Sequence, residues 1–590
     1  MSTAPADPRR AERASKLLVV ALVGIFLFGM LGFALAVIDS RDAEPGLPAA
    51  PSLPALDAIP AAAAEPATEA PRVLLALADA DEGAPPAPTP LPTAVPTVSP
   101  LPEDPTALAA DDAGPLAEPS DASAETVMPL VPVASFWSKR AGIRRGDLRS
   151  ALESGRVKGF ERVIVAEGIA DALAAELGIE LHADVRRGDI ERVRRAVRRG
   201  ALGVVPATSV GPSVRALEVN GTALTGVERI RDVADWPLTV RLPLPQSERW
   251  DQRDTWSLIA GGDAFTDRGV YDTVVRKGKG VDYPFDGGTA RVTGYGCCDP
   301  VFNDNVVPRY RLTGNKGLVR RTFRRADLAI ANHEQPVTDS AVFHSSGTRF
   351  SGKPNLTRIF SRAGIDYLSL ANNHIGDYGA DGITDTRRIL RANDIAFGGA
   401  GKDLAQARVV RDLDVRGTDV AIIPCLDIVK IYWAEARKAG ATPCLDRYLV
   451  PDIKQAKRRG AVVIVFPHWG VEYTRQPLPS MRRHAARWVK AGADMVLGAH
   501  SHVAGAMEDI GGTPVLYSLG NLIFDQHWST DTMMSALLEA TFHGDALVEL
   551  RLRPYIIHDT SQPNFLDPDS GEGRRLLQQI RSASRSWLDW

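Results

Sequence analysis

A set of metal-competent residues stands at the ends of short apolar runs in the second half of the chain. Ser257-Leu258-Ile259-Ala260 leads into Asp263, Leu328-Ala329-Ile330-Ala331 into Glu334, and Tyr367-Leu368-Ser369-Leu370 into Asn373 and His374. Val462 to Phe466 leads into His468 and Glu472, Met495-Val496-Leu497 into His500 and His502, and Val515-Leu516-Tyr517-Ser518 into Asn521. Carboxylate oxygen, amide oxygen and neutral imidazole suit divalent Mn, Fe or Zn, and the lack of neighbouring thiolates argues against a structural zinc site. The set is large enough for two ions. Such a pair lowers the pKa of water and clamps the oxygens of a displacement or acyl-transfer transition state.

Each apolar run reads as a strand, with helical patterns such as Thr384 to Ala392 and Met481 to Lys490 between them, so the fold class is layered α/β, sheets flanked by helices. Ligands of such sheets sit beyond the carboxyl ends of the strands, where loops distant in sequence converge. Bland readings compete residue by residue: a turn for Gly261-Gly262-Asp263 and for Asn373-His374, a surface loop for Glu334, a buried structural imidazole for His468. His333 and His344 read as satisfied loop residues, and Trp469 as packing beside the site.

The motifs resemble those of the CapA family of capsule and poly-γ-glutamate synthesis proteins, whose domain is related to calcineurin-like metallophosphoesterases. The likeness covers Trp256 to Tyr555. It rests on Asn372-Asn373-His374 followed by Asp377-Tyr378-Gly379, on His468-Trp469-Gly470-Val471-Glu472, on Gly498-Ala499-His500-Ser501-His502, and on Tyr517 to Asp525. The resemblance implies a metallophosphoesterase-like sandwich. It implies Asp263, Glu334, Asn373, His468, His500 and His502 as ligands of two divalent ions, with His374 as the catalytic residue beside them. Glu472 and Asn521 are expected to orient a ligand or bind substrate. The Asp-x-His pair that opens such sites stands here as Asp263-Ala264-Phe265, so one ligand is absent or comes from elsewhere.

The remaining sequence carries delivery and tethering. The stretch Leu17 to Ile38 has no charge and is long enough for a hydrocarbon layer of about 30 Å, and Arg9, Arg10, Arg13 and Lys16 before it keep residues 1–16 in the cytoplasm. A single-pass anchor with everything after it extracytoplasmic is the expectation. The alternative, a signal peptide cleaved near Ala34-Leu35-Ala36, exports the same domains. Residues 39–135 are rich in Ala and Pro and read as a disordered linker. Residues 136–250 alternate strand and helix as a small α/β module, and 251–590 form the CapA-like domain. An arginine-rich helix from Ile190 to Arg199 could attract a polyanion, but a solvated face is the favoured reading.

A net charge of -3 from 69 basic and 72 acidic residues gives no case for nucleic-acid binding. Cys425 and Cys444 could bridge outside the cell, whereas adjacent Cys297 and Cys298 are free or a vicinal pair. Tyr432 to Tyr448 reads as an inserted loop or a substrate-facing lid. Two functions remain open. One is a metal-dependent hydrolase acting on an extracellular polymer, alongside a synthase in the membrane. The other is a non-catalytic surface component that binds, guides or anchors an anionic capsule polymer such as poly-γ-glutamate.

Overall fold

The computed structural model describes residues 125–296 and 306–584. The expected anchor from Leu17 to Ile38, most of the expected linker, and Cys297 and Cys298 lie outside the described residues. Among the described residues no helix is long and apolar enough to cross a membrane.

The first sheet is built from β1 (Glu125–Ser135), β2 (Val163–Ala166), β3 (Arg186–Gly188), β4 (Leu202–Pro206), β5 (Val214–Ala216) and β6 (Thr239–Pro243). Its order is β3-β2-β4-β1-β5, with β6 also on β1. Helices α1 (Arg145–Ser154), α2 (Ala170–Leu177) and α3 (Ile190–Arg198) cover it, with Leu148, Leu173, Val193 and Val197 buried against the strands. One expectation is corrected: the linker does not extend to Ser135, because Glu125–Ser135 is the strand shared by β4, β5 and β6. Pro129 and Pro132 disguise it, since proline lacks the ladder N–H and normally marks an edge. Here β1 changes partners along its length, from β6 at Glu125 to Pro129 to β4 at Leu130 to Val133, and Met128 to Ala134 are buried.

The larger body begins with β7 (Thr255–Ala264), the hairpin β8 (Thr289–Gly296) and β9 (Val307–Gly314), and α4 (Leu318–Arg325). Then come β10 (Leu328–His333), α5 (Arg358–Ala363), β11 (Tyr367–Ser369), α6 (Gly379–Ala392) and β12 (Ala396–Gly398). A second sheet follows from β13 (Asp412–Val415), β14 (Thr418–Leu426), α7 (Asp446–Arg458), β15 (Val462–His468), α8 (Pro479–Ala491), β16 (Met495–Leu497), β17 (Met507–Ile510) and β18 (Thr513–Leu516). The chain returns to the earlier sheet with β19 (Asn521–Ile523), β20 (Met534–His543), β21 (Ala546–His558) and β22 (Gln562–Phe565), and closes on α9 (Gly571–Ala583). One sheet runs β9-β8-β22-β21-β20-β7-β10-β11-β12 with β19 on β7, and the other runs β13-β14-β15-β16-β18-β17.

Strand alternation explains the four layers. Leu258, Ala260, Leu328 and Ile330 face Val420, Ile422, Ile464 and Leu497 in the core between the sheets. Their neighbours Ile259, Ala329 and Leu368 point outward into a cluster with Val319, Phe360 and Ile383 of α4, α5 and α6. Ile423, Val463 and Val496 do the same under Leu449, Ala485 and Trp488 of α7 and α8. Burial on both faces is why these strands read as nearly continuous apolar runs.

Cys425 and Cys444 are joined by a disulfide. The segment it closes contains Tyr432, whose hydroxyl reaches Asp377 Oδ1 at 3.4 Å. A buried polar clamp fastens the smaller sheet to the larger. Glu549 accepts from Ala216 N at 2.9 Å and from the Thr225 hydroxyl, while Glu539 accepts from Val227 N at 2.6 Å and Arg553 Nε at 2.6 Å.

Candidate metal centre

The loops after β7, β10, β11, β15 and β16 meet in one chamber, and β7 makes its share of it by bending at Gly261-Gly262. A Cβ on Gly262 would fall 1.8 Å from Gly520 O, so only glycine lets Asp263 N donate to Gly520 O at 2.8 Å. Asp263 is fully buried there. Its Oδ1 accepts from Asn332 Nδ2 at 2.8 Å and its Oδ2 from His500 N at 3.0 Å.

Glu334 lies at the centre. Its Oε1 is 3.5 Å from His468 Nε2 and 3.9 Å from His502 Nε2, and Asp263 is its neighbouring carboxyl, yet neither Glu334 oxygen takes an N–H or hydroxyl donor among the described residues. Two ligand trios share it: Glu334 with His468 and His500, and Asp263 with Glu334 and His502, each with ligand atoms within 4.8 Å of one another. Asn373 Oδ1 adds an amide oxygen 2.7 Å from His468 Nε2.

The electrostatics of the chamber suit a cation. Burial, then Asp263 and Glu472, push the Glu334 carboxyl well above its usual range, and burial raises Asp263 as well. Burial followed by the neighbouring imidazoles holds His468 and His502 well below the ordinary histidine value, and His500 falls to about 4. A dication would reverse the penalty on the acids and use the lone pairs that keep the imidazoles neutral. The residues therefore fit divalent metal bound through oxygen and nitrogen.

Backbone strain marks the same place. His500 and His502 have φ of 91° and 58°, a region that non-glycine residues seldom occupy and that costs of order 1–3 kcal/mol. That turn sets both imidazoles beside Glu334. His502 Nδ1 then donates to Asn521 Oδ1 at 2.9 Å, which leaves Nε2 facing Glu334. Asn521 is itself fixed through Nδ2 to Gln526 Oε1 at 3.0 Å and Thr532 O at 3.1 Å. Asn521→Ala is expected to weaken metal binding roughly 10- to 100-fold by releasing that ring. Competition with a fluorescent chelator measures the change, and an unaltered affinity removes Asn521 from the role.

The other expected residues are also placed. His374 sits at the rim with Nδ1 3.0 Å from Asp377 Oδ2 and its ring 4.2 Å from Phe350. Glu472 is exposed on the opposite rim, and its charge acts on Glu334 and Asp263. No described hydrogen bond joins it to an imidazole. Phe265, where an Asp-x-His site has histidine, packs 4.1 Å from Phe524 and supplies no ligand. Trp469 is buried and stacks on Trp488. His344 pairs with Asp267 as a satisfied loop residue. His333 corrects its expectation: it ends β10, is buried against Phe360, and neither ring nitrogen is bonded. On a strand it must point away from Asn332 and Glu334.

Asn332, Asp377 and Arg268 were not singled out as functional by the sequence. Alternation could have found Asn332, which shares the Glu334 side of its strand and links Asp263 to His468 Nδ1 at 3.3 Å. Arg268 lies over Phe350 at 4.7 Å and donates to Asp525 Oδ1 at 2.6 Å, contacts that no spacing reveals.

Two packed sheets carrying a buried carboxylate, amide and imidazole chamber at their strand ends define a layered α/β protein whose chamber has donors that fit a divalent ion. Residues 257–526 match the family model described as bacterial capsule synthesis protein PGA_cap. The chain belongs to this family. It is 34% identical over 355 residues to a Mycobacterium tuberculosis protein described as "probable polyglutamine synthesis accessory protein", covering 57% of this chain and 89% of that one. The Bacillus subtilis PGA biosynthesis protein CapA is 29% identical over 293 residues, 48% of this chain and 77% of its own. A 5'-nucleotidase precursor from Thermus thermophilus aligns over 56% of this chain and 58% of its own, at 14% identity and a TM-score of 0.30.

Proposed function

We propose that this protein is an extracytoplasmic, membrane-tethered component of capsule or poly-γ-glutamate synthesis whose chamber is a two-ion centre of the metallophosphoesterase type, acting as a hydrolase on the polymer or a linkage to it. The observation that carries the reading is Glu334, shared by both ligand trios with its two oxygens unpartnered. Bound ions supply Lewis-acid activation of water. The chain's own part is to hold them: Asp263 with His502 on one side, His468, His500 and Asn373 on the other. His374, steadied by Asp377, stands at the rim where a leaving group needs a proton. The relatives named for capsule and polyglutamine synthesis support the polymer, and the uncharged stretch from Leu17 to Ile38 supports the tether.

The test uses full-length protein and the producing cells. Purified protein should carry close to two transition-metal ions, and Asp263→Asn or His374→Ala should abolish polymer production while expression persists. Unchanged production in both variants rejects catalysis and favours a component that binds and guides the polymer.

A further inference from the structure

Away from the metal centre, the larger sheet contains a slot one strand wide. Its near end is filled by β22, which pairs with β21 at Tyr555 to His558 on one side and with β8 at Thr289 on the other. After Phe565 the chain turns out of the sheet towards α9. Beyond that point β21 from Leu550 to Arg553 and β8 from Ala290 onward have no strand on their facing edges among the described residues. The space between them is a cleft of about 950 Å³ walled by these strands, by Phe565 to Leu577, and by Phe136 to Ser138 of the smaller sheet's polypeptide.

The edge is oriented for pairing. Pro554 O accepts from Leu566 N at 2.9 Å, so strand alternation turns the backbone groups of Leu550 and Leu552 towards the same open side. Such an edge adds an extended chain through main-chain hydrogen bonds. The walls favour an anion. Arg291 and Arg311 stand directly opposite in the β8–β9 pairing and both are exposed, an arrangement that like-charge repulsion disfavours. Arg215 lines the same cleft with Nη1 on Ser138 O at 2.8 Å, beside Arg551, whose charge opposes its own and whose Nε is bound to Glu549. Of the carboxylates there, Asp567 takes the Ser570 hydroxyl at 2.6 Å and Glu572 lies 3.4 Å from Arg575, while Asp569 is 3.9 Å from Arg215 and Glu218 stays near the arginines. Trp137 adds a buried indole N–H without an acceptor.

We propose that this slot binds a segment of carboxylate-bearing polyamide in extended form, its amides on the β21 edge and its carboxylates on Arg291 and Arg215. The identity of the polyamide as the glutamate polymer rests on the function proposed above; the slot does not. It would hold product chain at a distance from the metal centre.

The probe is a fluorescent γ-linked glutamate hexamer titrated into full-length protein, with α-linked hexaglutamate and hexaglutamine as comparisons. Arg291→Glu and Arg215→Gln are each expected to weaken the γ-linked hexamer at least tenfold. Hydrogen exchange should slow at Leu550 and Leu552 on binding. Undiminished binding in both arginine variants overturns the slot. Preference for α-linked hexaglutamate keeps the slot and overturns the γ-linked polymer as its occupant. Equal binding of hexaglutamine overturns the anionic requirement and the proposal with it.

Discussion

Glu334→Gln will make the metal-free protein more stable at pH 7 and cancel the stabilisation that divalent ions give the wild type. Glu334 is buried with both oxygens unpartnered, and burial together with Asp263 and Glu472 lifts its pKa well above the ordinary 4.5. An unfolded chain ionises that carboxyl at its ordinary value, whereas the folded, metal-free chain ionises it only at higher pH. The wild type therefore loses stability as pH rises from the ordinary value towards the raised one. Glutamine has the same shape and nothing to ionise, so its advantage should be smallest near pH 4.5 and grow as pH rises towards the raised folded value. Ions at 100 times their dissociation constant add about 2.7 kcal/mol to the wild type. The glutamine variant, lacking the carboxylate common to both trios, should gain little. Thermal unfolding in chelator and in Mn or Zn at two pH values checks all of this, and a variant less stable than wild type in chelator at pH 7 defeats the argument.

Much of the site was legible because β-strands end abruptly where ligands are needed. Apolar runs followed at once by Asp263, Glu334, His468 and His500 located the chamber, since burial on both faces suppresses polar residues until the strand ends. Three things were hidden for physical reasons. The turn holding His500 and His502 with positive φ cannot be read from Ala499-His500-Ser501-His502, where no glycine or asparagine announces a left-handed backbone. Strand Glu125–Ser135 was masked by two prolines whose tolerance depends on a change of partner that only tertiary structure supplies. Arg268 owes its place to Phe265, Phe350 and Phe524, which come from three separate loops.

Glu549→Ala is expected to loosen the smaller sheet from the larger body. Glu549 and Glu539 are 1% exposed, and the groups they satisfy come from both sides: Ala216 N, Thr225 and Val227 N on one, Arg551 and Arg553 on the other. Deleting that carboxylate leaves the buried Arg551 without its ion-pair partner and leaves its Nε and the Ala216 N–H without an acceptor, which costs about 3–5 kcal/mol, more than the pair itself contributes. The loss should fall on the junction, so limited proteolysis should cut between Ala216 and Thr255 before the larger sheets open. Acid should act on the same joint. Glu539 is held below its ordinary 4.5, with Arg553 and Arg551 outweighing the burial that opposes them. Its contribution is therefore complete above pH 4.5 and lost as pH falls through the lower folded value. Wild-type protein at low pH should then show the same early cleavage that Glu549→Ala shows at neutral pH. Simultaneous loss of both sheets under either condition would mean that the clamp does not bound a separable unit.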